Sequence, residues 1–232
     1  LDVIDPPKIA DKPKWRADLK RDVEAVLQTG DGSAVRDRIR EILGSADIPS
    51  RDAGRSYALK FGVAASAARS LNHVPSSADI GGAMAVHRWD GSVTVAKPEL
   101  EKVARIAAMD PAALKALPVD ERNAQLDGLS TLVHEDLHGA SRIVSTAYRG
   151  VGVGIEEAGT EILARKITRD HFEDPEALKL PERVTGFEAR YGWYRGGYGS
   201  YQPYIRGLLE AVDVAYGDGK DVGKRVEEAF LK

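Results

Sequence analysis

A chain of 232 residues with 43% hydrophobic and 30% charged content has enough apolar material for one substantial core, in the balance expected of a soluble globular protein. Its net charge of −3 excludes strong attraction to nucleic acid or to an anionic membrane, and the absence of cysteine excludes disulfides and thiolate metal ligands. No apolar run approaches the ~20 residues of a membrane span and no signal peptide is visible; a chain opening on Leu1 is expected to be an excised domain or a processed product.

Residues 1–13, punctuated by Pro6, Pro7 and Pro13, read as an extended lead-in. Leu19, Val23 and Val26-Leu27 then give helical spacing over Trp15–Leu27, which Thr29-Gly30-Asp31-Gly32 ends. Ser33 is expected to cap a second helix through Val35, Ile39 and Ile42-Leu43, stopped by Gly44. A third, alanine-rich helix is expected over Asp52–Leu71. Basic residues through this region are balanced by Asp and Glu, which is a solvated face rather than a nucleic-acid patch. Residues 1–72 are therefore taken as a lead-in and helical region, and 73–232 as a second domain.

The period changes over 83–96. Ala83 to Trp89, then Asp90-Gly91, then Ser92 to Ala96 reads as a β-hairpin closed by a type I′ turn. His87 lies in the strand pattern without any partner at ligand spacing, so it is not counted as a metal ligand. Pro98–Met109 and Asp110–Leu117 read as short helices, with Asp110-Pro111 as an N-cap and first-position pair.

The stretch Ser130-Thr131-Leu132-Val133-His134-Glu135-Asp136-Leu137-His138-Gly139 carries the strongest chemical signal, the His-Glu-x-x-His pattern. Leu126, Leu129, Val133, Leu137, Ala140 and Val144 form one apolar stripe, so a single helix from near 120 to 145 is expected, with Asp120 as its N-cap. Residues four apart lie on one helix face, so His134 and His138 can reach the same metal ion. Glu135, about 100° round the helix, can take a proton from water on that metal without being a ligand. The plainer reading has two histidines bordering a buried face, and it leaves Glu135 and a second acidic motif unexplained.

That second motif is Ile155-Glu156-Glu157-Ala158-Gly159-Thr160-Glu161-Ile162-Leu163-Ala164. Catalytic zinc takes three protein ligands and keeps a fourth position for water. Val144 stands where the metzincin layout needs a histidine, so that layout is excluded. Glu157, nineteen residues after His138, is the natural third ligand, with His171 as the alternative. Glu161, one turn on, shares the face of Glu157 and can orient a histidine ring by a hydrogen bond. Glu156 suits an acidic first turn favoured by the helix dipole.

Across roughly 83–170 the sequence resembles the gluzincin metallopeptidases, whose second helix carries a glutamate ligand, Ser or Thr three residues on and an acidic residue four residues on. Glu157, Thr160 and Glu161 match those positions. The resemblance implies a zincin-like catalytic domain, mostly helical α+β with a small sheet, that binds Zn2+ through His134, His138 and Glu157 and hydrolyses peptide or protein substrates with Glu135 as base. It also implies that the hairpin lines the cleft with an open edge, on which an extended substrate adds as a strand.

His171–Arg183 is charged and proline-punctuated, as a surface connection would be. From Phe187 to Tyr204 the chain holds seven of its fifteen aromatic residues among glycines. That composition suits a binding loop in which Tyr201 or Tyr204 donates to a developing oxyanion; an aromatic cover over the C-terminal core fits it equally well. Two amphipathic helices, 207–216 and 222–231, end the chain. The rival expectation is a structural or interaction domain, for example of a phage particle or a secreted multidomain protein, that keeps a zincin fold for assembly. No nucleic-acid or membrane partner is expected in either case.

Overall fold

A computed structural model describes residues 9–43, 70–88, 90–140 and 151–178, with the backbone alone at 139–140, 151–156, 158–159 and 162. The lead-in before residue 9, the helix over 52–69, the stop at Gly44, the connection beyond 178, the aromatic-glycine stretch and the last two helices lie outside the described residues. What is described is mostly helical with one small sheet, an α+β arrangement. The chain divides into two compact units, one formed by 1–140 with 167–178 and the other by 141–166 with 179–232.

The first unit begins with α1, Lys12–Thr29. Asp11 caps it by accepting from the Lys14 amide at 2.9 Å, and Pro13 sits in the first turn, where its missing N–H costs nothing. Trp15, Leu19, Val23 and Val26 are buried, at the steps of four and three expected of one helix face. Gly30 ends the helix at φ 82°, its amide donating to Val26 O at 2.8 Å. Helix α2 spans Ser33–Ile42 and buries Val35, Arg36, Ile39 and Ile42. Ser33 is its first residue rather than its cap. Asp31 Oδ1 accepts from both the amide and the hydroxyl of Ser33, at 3.0 and 2.8 Å, because a carboxylate two residues earlier reaches both donors.

Leu71–Val74 is a strand, β1, not the end of a helix. Four residues are too few for a period to show, and what holds the segment extended is pairing with a strand in which Leu71 meets Val93. Strands β2 (Ala85–His87) and β3 (Val93–Ala96) form the expected hairpin. The sheet order is β1-β3-β2, with β1 parallel and β2 antiparallel to β3. All four residues of β3 are buried, as a central strand covered on both faces requires. Strand β2 is at an edge, and among the described residues no strand pairs with its outer side.

The hairpin turn is not type I′. That type needs positive φ at both central residues, and of Asp90 and Gly91 only Gly91 has it, at 82°. The Gly91 amide donates to Arg88 O and the Arg88 amide to Ser92 O, each at 2.8 Å, which closes a longer loop with the glycine at its left-handed position. The Asp90 side chain accepts from the amide and hydroxyl of Ser92, at 2.9 and 2.6 Å, and so closes a side-chain turn.

From β3 the chain passes directly into α3 (Lys97–Ala108), then α4 (Pro111–Ala116), whose cap Asp110 accepts from Ala112 N and Ala113 N. Helix α5 spans Val119–Ala140 and buries Leu126, Leu129, Leu132, Val133 and Leu137. It starts at Val119, so Asp120 lies within its first turn and not at the N-cap, where it complements the helix dipole. Among the described residues no helix is long and apolar enough to cross a membrane.

Helix α3 packs on both α1 and α5. Its approach to α5 is close at Gly128, where an added Cβ would lie 2.7 Å from Glu99 O and 2.9 Å from Lys102 Cβ. Alanine in mid-helix gains about 0.5–1 kcal/mol over glycine, whereas forcing atoms into a packed contact costs about 1–3 kcal/mol. The contact is with backbone, which cannot swing aside, so the steric loss wins. Gly128→Ala is expected to lower stability, and Gly128→Val to lower it further, in denaturant unfolding of the two variants; a stabilised Gly128→Ala would show that the helices part freely.

Of the second unit, the described part is the stretch 151–166 of α6, a helix that runs Val151–Phe172 and so ends in the first unit. Thr160, Glu161, Leu163 and Ala164 are buried. The helix runs on to Phe172, two residues into the expected surface connection, which places His171 in its last turn rather than in irregular chain.

Candidate metal centre

His134 and His138 occupy successive turns of α5, and their Nε2 atoms approach to 2.9 Å with ring planes 78° apart. Two imidazole nitrogens at that distance cannot both carry protons. Either one N–H donates to the other ring, or both lone pairs face a cation between them. Two nitrogens on a tetrahedral ion at 2.0–2.1 Å stand roughly 3.3 Å apart, so a small opening of the pair admits a metal. His134 is 1% exposed, whereas His138 is half-buried at the open side.

Glu157 completes the set: ligand atoms of His134, His138 and Glu157 all lie within 4.8 Å of one another. Among the described residues this is the group of three or more such side chains that meets that spacing. Two neutral imidazoles and one carboxylate form the donor set of an open, three-ligand zinc site, which leaves a net positive charge and a free position at the ion. The residues fit a metal. Glu135, between the two histidines, is 4% exposed. Glu161, one turn after Glu157, is buried and forms an ion pair with Arg165. The side chain of Glu156, together with Tyr201 and Tyr204, lies outside the described residues.

His87 ends the edge strand β2, and its ring centroid lies 6.2 Å from that of His138. Strand pairing with β3 brings it there, a placement that local spacing does not reveal. It is not a member of the three-ligand set. Burial, then the neighbouring His138 and Arg36, push its pKa down to about 3, against a smaller upward pull from Asp136 and Asp90, so the ring is neutral at physiological pH.

His171 goes elsewhere. Its ring packs edge-on against Trp15 at a centroid distance of 4.4 Å and against Phe172 at 5.2 Å, and its carbonyl accepts from Lys12 Nζ at 2.9 Å. It serves packing between the end of α6 and α1. Burial, with Lys12 and Arg16 nearby, lowers its pKa to about 3, against an opposing pull from Glu173. The unfolded chain therefore binds a proton below pH ~6.5 that the folded chain refuses until about pH 3. Stability from this ring is complete above pH ~6.5 and is lost as pH falls through that window, at up to about 1.4 kcal/mol per pH unit. His171→Phe keeps an aromatic ring on Trp15 and is expected to flatten the acid limb of stability against pH; an unchanged slope would mean that the ring titrates normally in the fold.

Two buried charged groups behind the histidines carry no motif signal. Asp136, 2% exposed, accepts from Arg36 of α2 through Nε at 3.1 Å and Nη2 at 2.6 Å. Arg40 Nη2 stands 3.4 Å from the same oxygen. The two partners are 100 residues apart in the chain, which is why spacing does not join them. Comparison with protein-family models, curated proteins and solved structures finds no match to this chain.

Proposed function

We propose that the protein is a zinc-dependent peptidase of the gluzincin kind. The observation that carries this reading is the convergence of His134 Nε2 and His138 Nε2 at 2.9 Å, in a helix that also holds a buried glutamate directly after the first histidine. His134, His138 and Glu157 would hold the ion. Zinc in such a set supplies Lewis acidity and lowers the pKa of a bound water to about 7. Glu135 takes the proton as water attacks the scissile carbonyl, then passes it to the leaving amine. Its burial keeps bulk water from competing for the carboxylate. The outer edge of β2, which no strand among the described residues pairs with, offers amide and carbonyl groups on which an extended peptide can add as a further strand. His87, neutral and beside His138, stands at the end of that edge.

Elemental analysis of the purified chain and its His134→Ala variant, followed by cleavage of a peptide library, tests the proposal. One equivalent of zinc that is lost in the variant, together with cleavage that is lost with it, is the expected result. Zinc without cleavage would favour a structural or interaction domain; no zinc at all would remove the metal centre.

A further inference from the structure

We infer that Arg36 is the positioning residue of the metal centre: by gripping Asp136 it sets the rotation of α5 that turns His134 and His138 toward one ion. This rests on the metal reading above. Asp136 lies two residues after His134 and two before His138. At ~100° per residue that puts it about 160° from each histidine round the helix. The helix is thus held on one side by the Arg36 pair while its opposite side presents the two imidazoles.

Arg36 is suited to this by its other bonds. It is 1% exposed, and its Nη1 donates to Gly91 O at 2.7 Å and to Ser70 O at 3.2 Å. Gly91 belongs to the hairpin turn and Ser70 precedes β1, so one guanidinium ties the motif turn of α5 to the sheet that carries His87. A planar fork with donors on three nitrogens reaches these three acceptors on three separate segments at once, whereas the three donors of a lysine ammonium sit on one atom and lack that spread. A rotation of α5 by one residue would swing both histidines by ~100° and separate them from Glu157. It would also leave a buried carboxylate without its guanidinium partner, which is strongly destabilising. The ion pair therefore penalises the wrong rotation more strongly than apolar packing, which tolerates a shift of a similar-sized side chain.

Two variants of the full chain separate positioning from general support. Arg36→Met with Asp136→Leu removes both charges of the pair together and fills the space with apolar atoms, an exchange that is often neutral or stabilising for a buried pair, while Arg40, which loses Asp136, keeps Asp37 at 3.9 Å. Arg36→Lys keeps the charge and loses the fork. Thermal unfolding, zinc affinity by chelator competition, and the ring nitrogen signals of His134 and His138 in the metal-free protein are measured for each. The expected result is a double variant that unfolds near the wild-type temperature yet binds zinc about 10–100-fold more weakly, the loss typical of groups that orient ligands, with both ring signals shifted. Arg36→Lys should fall between. Wild-type zinc affinity and unshifted rings in a folded variant would overturn the inference. If the double variant does not fold, the affinity and ring signals of Arg36→Lys decide. If the wild-type chain binds no zinc, the metal reading falls, and the ring signals alone decide whether Arg36 orients the pair.

Discussion

Glu135→Gln is expected to keep the fold and the zinc while losing at least 10²–10⁴-fold in peptide hydrolysis, the typical cost of removing a general base. The exchange is nearly isosteric, so the 4%-exposed site of Glu135 keeps its packing. An amide accepts hydrogen bonds through its oxygen but cannot take a proton at neutral pH. The histidines four apart, which would hold the ion, are untouched. Zinc content and unfolding temperature should therefore match the wild type, and the defect should appear in kcat rather than in KM. Turnover at the wild-type rate in a zinc-loaded Glu135→Gln chain would sink the role assigned to this carboxylate, while leaving the metal site standing.

The second large effect concerns which of the clustered glutamates binds. Glu157→Ala should lower zinc affinity sharply, since it removes one of the three proposed ligands, whose ligand atoms lie within 4.8 Å of one another. Glu161→Ala should lower it about 10–100-fold, the range seen when a group that orients ligands is lost. That smaller figure follows from its position one turn on, where its carboxylate pairs with Arg165. Successive helix positions point ~100° apart, so Glu156→Ala should be near silent. Chelator titration of the three variants settles the order. A Glu156→Ala chain that loses zinc while Glu157→Ala retains it would overturn the helix register on which the ligand set depends.

Much of the fold was legible where a signal is local. Trp15, Leu19, Val23 and Val26 announce α1 because a helix buries every third or fourth residue, and Asp110-Pro111 announces α4 because its cap and its first residue are adjacent. The hairpin was legible from alternation around Asp90-Gly91, but its turn type was not. That depends on how many residues the paired strands leave between them, and the pairing of His87 with Val93 leaves five. Strand β1 was missed because Leu71–Val74 is extended only by virtue of its partner.

The candidate site divides along the same line. Sequence by itself determined that His134 and His138 share a face, that Glu135 follows the first of them, and that Glu157 and Glu161 are one turn apart, because each relation is internal to a single helix and follows from 3.6 residues per turn. Tertiary structure alone decided that Arg36 meets Asp136, that His87 stands beside His138 while His171 packs on Trp15, and that Gly128 must lack a side chain. These pairings join residues tens of positions apart. Their energy comes from desolvated charge and close packing, neither of which leaves a period in the chain.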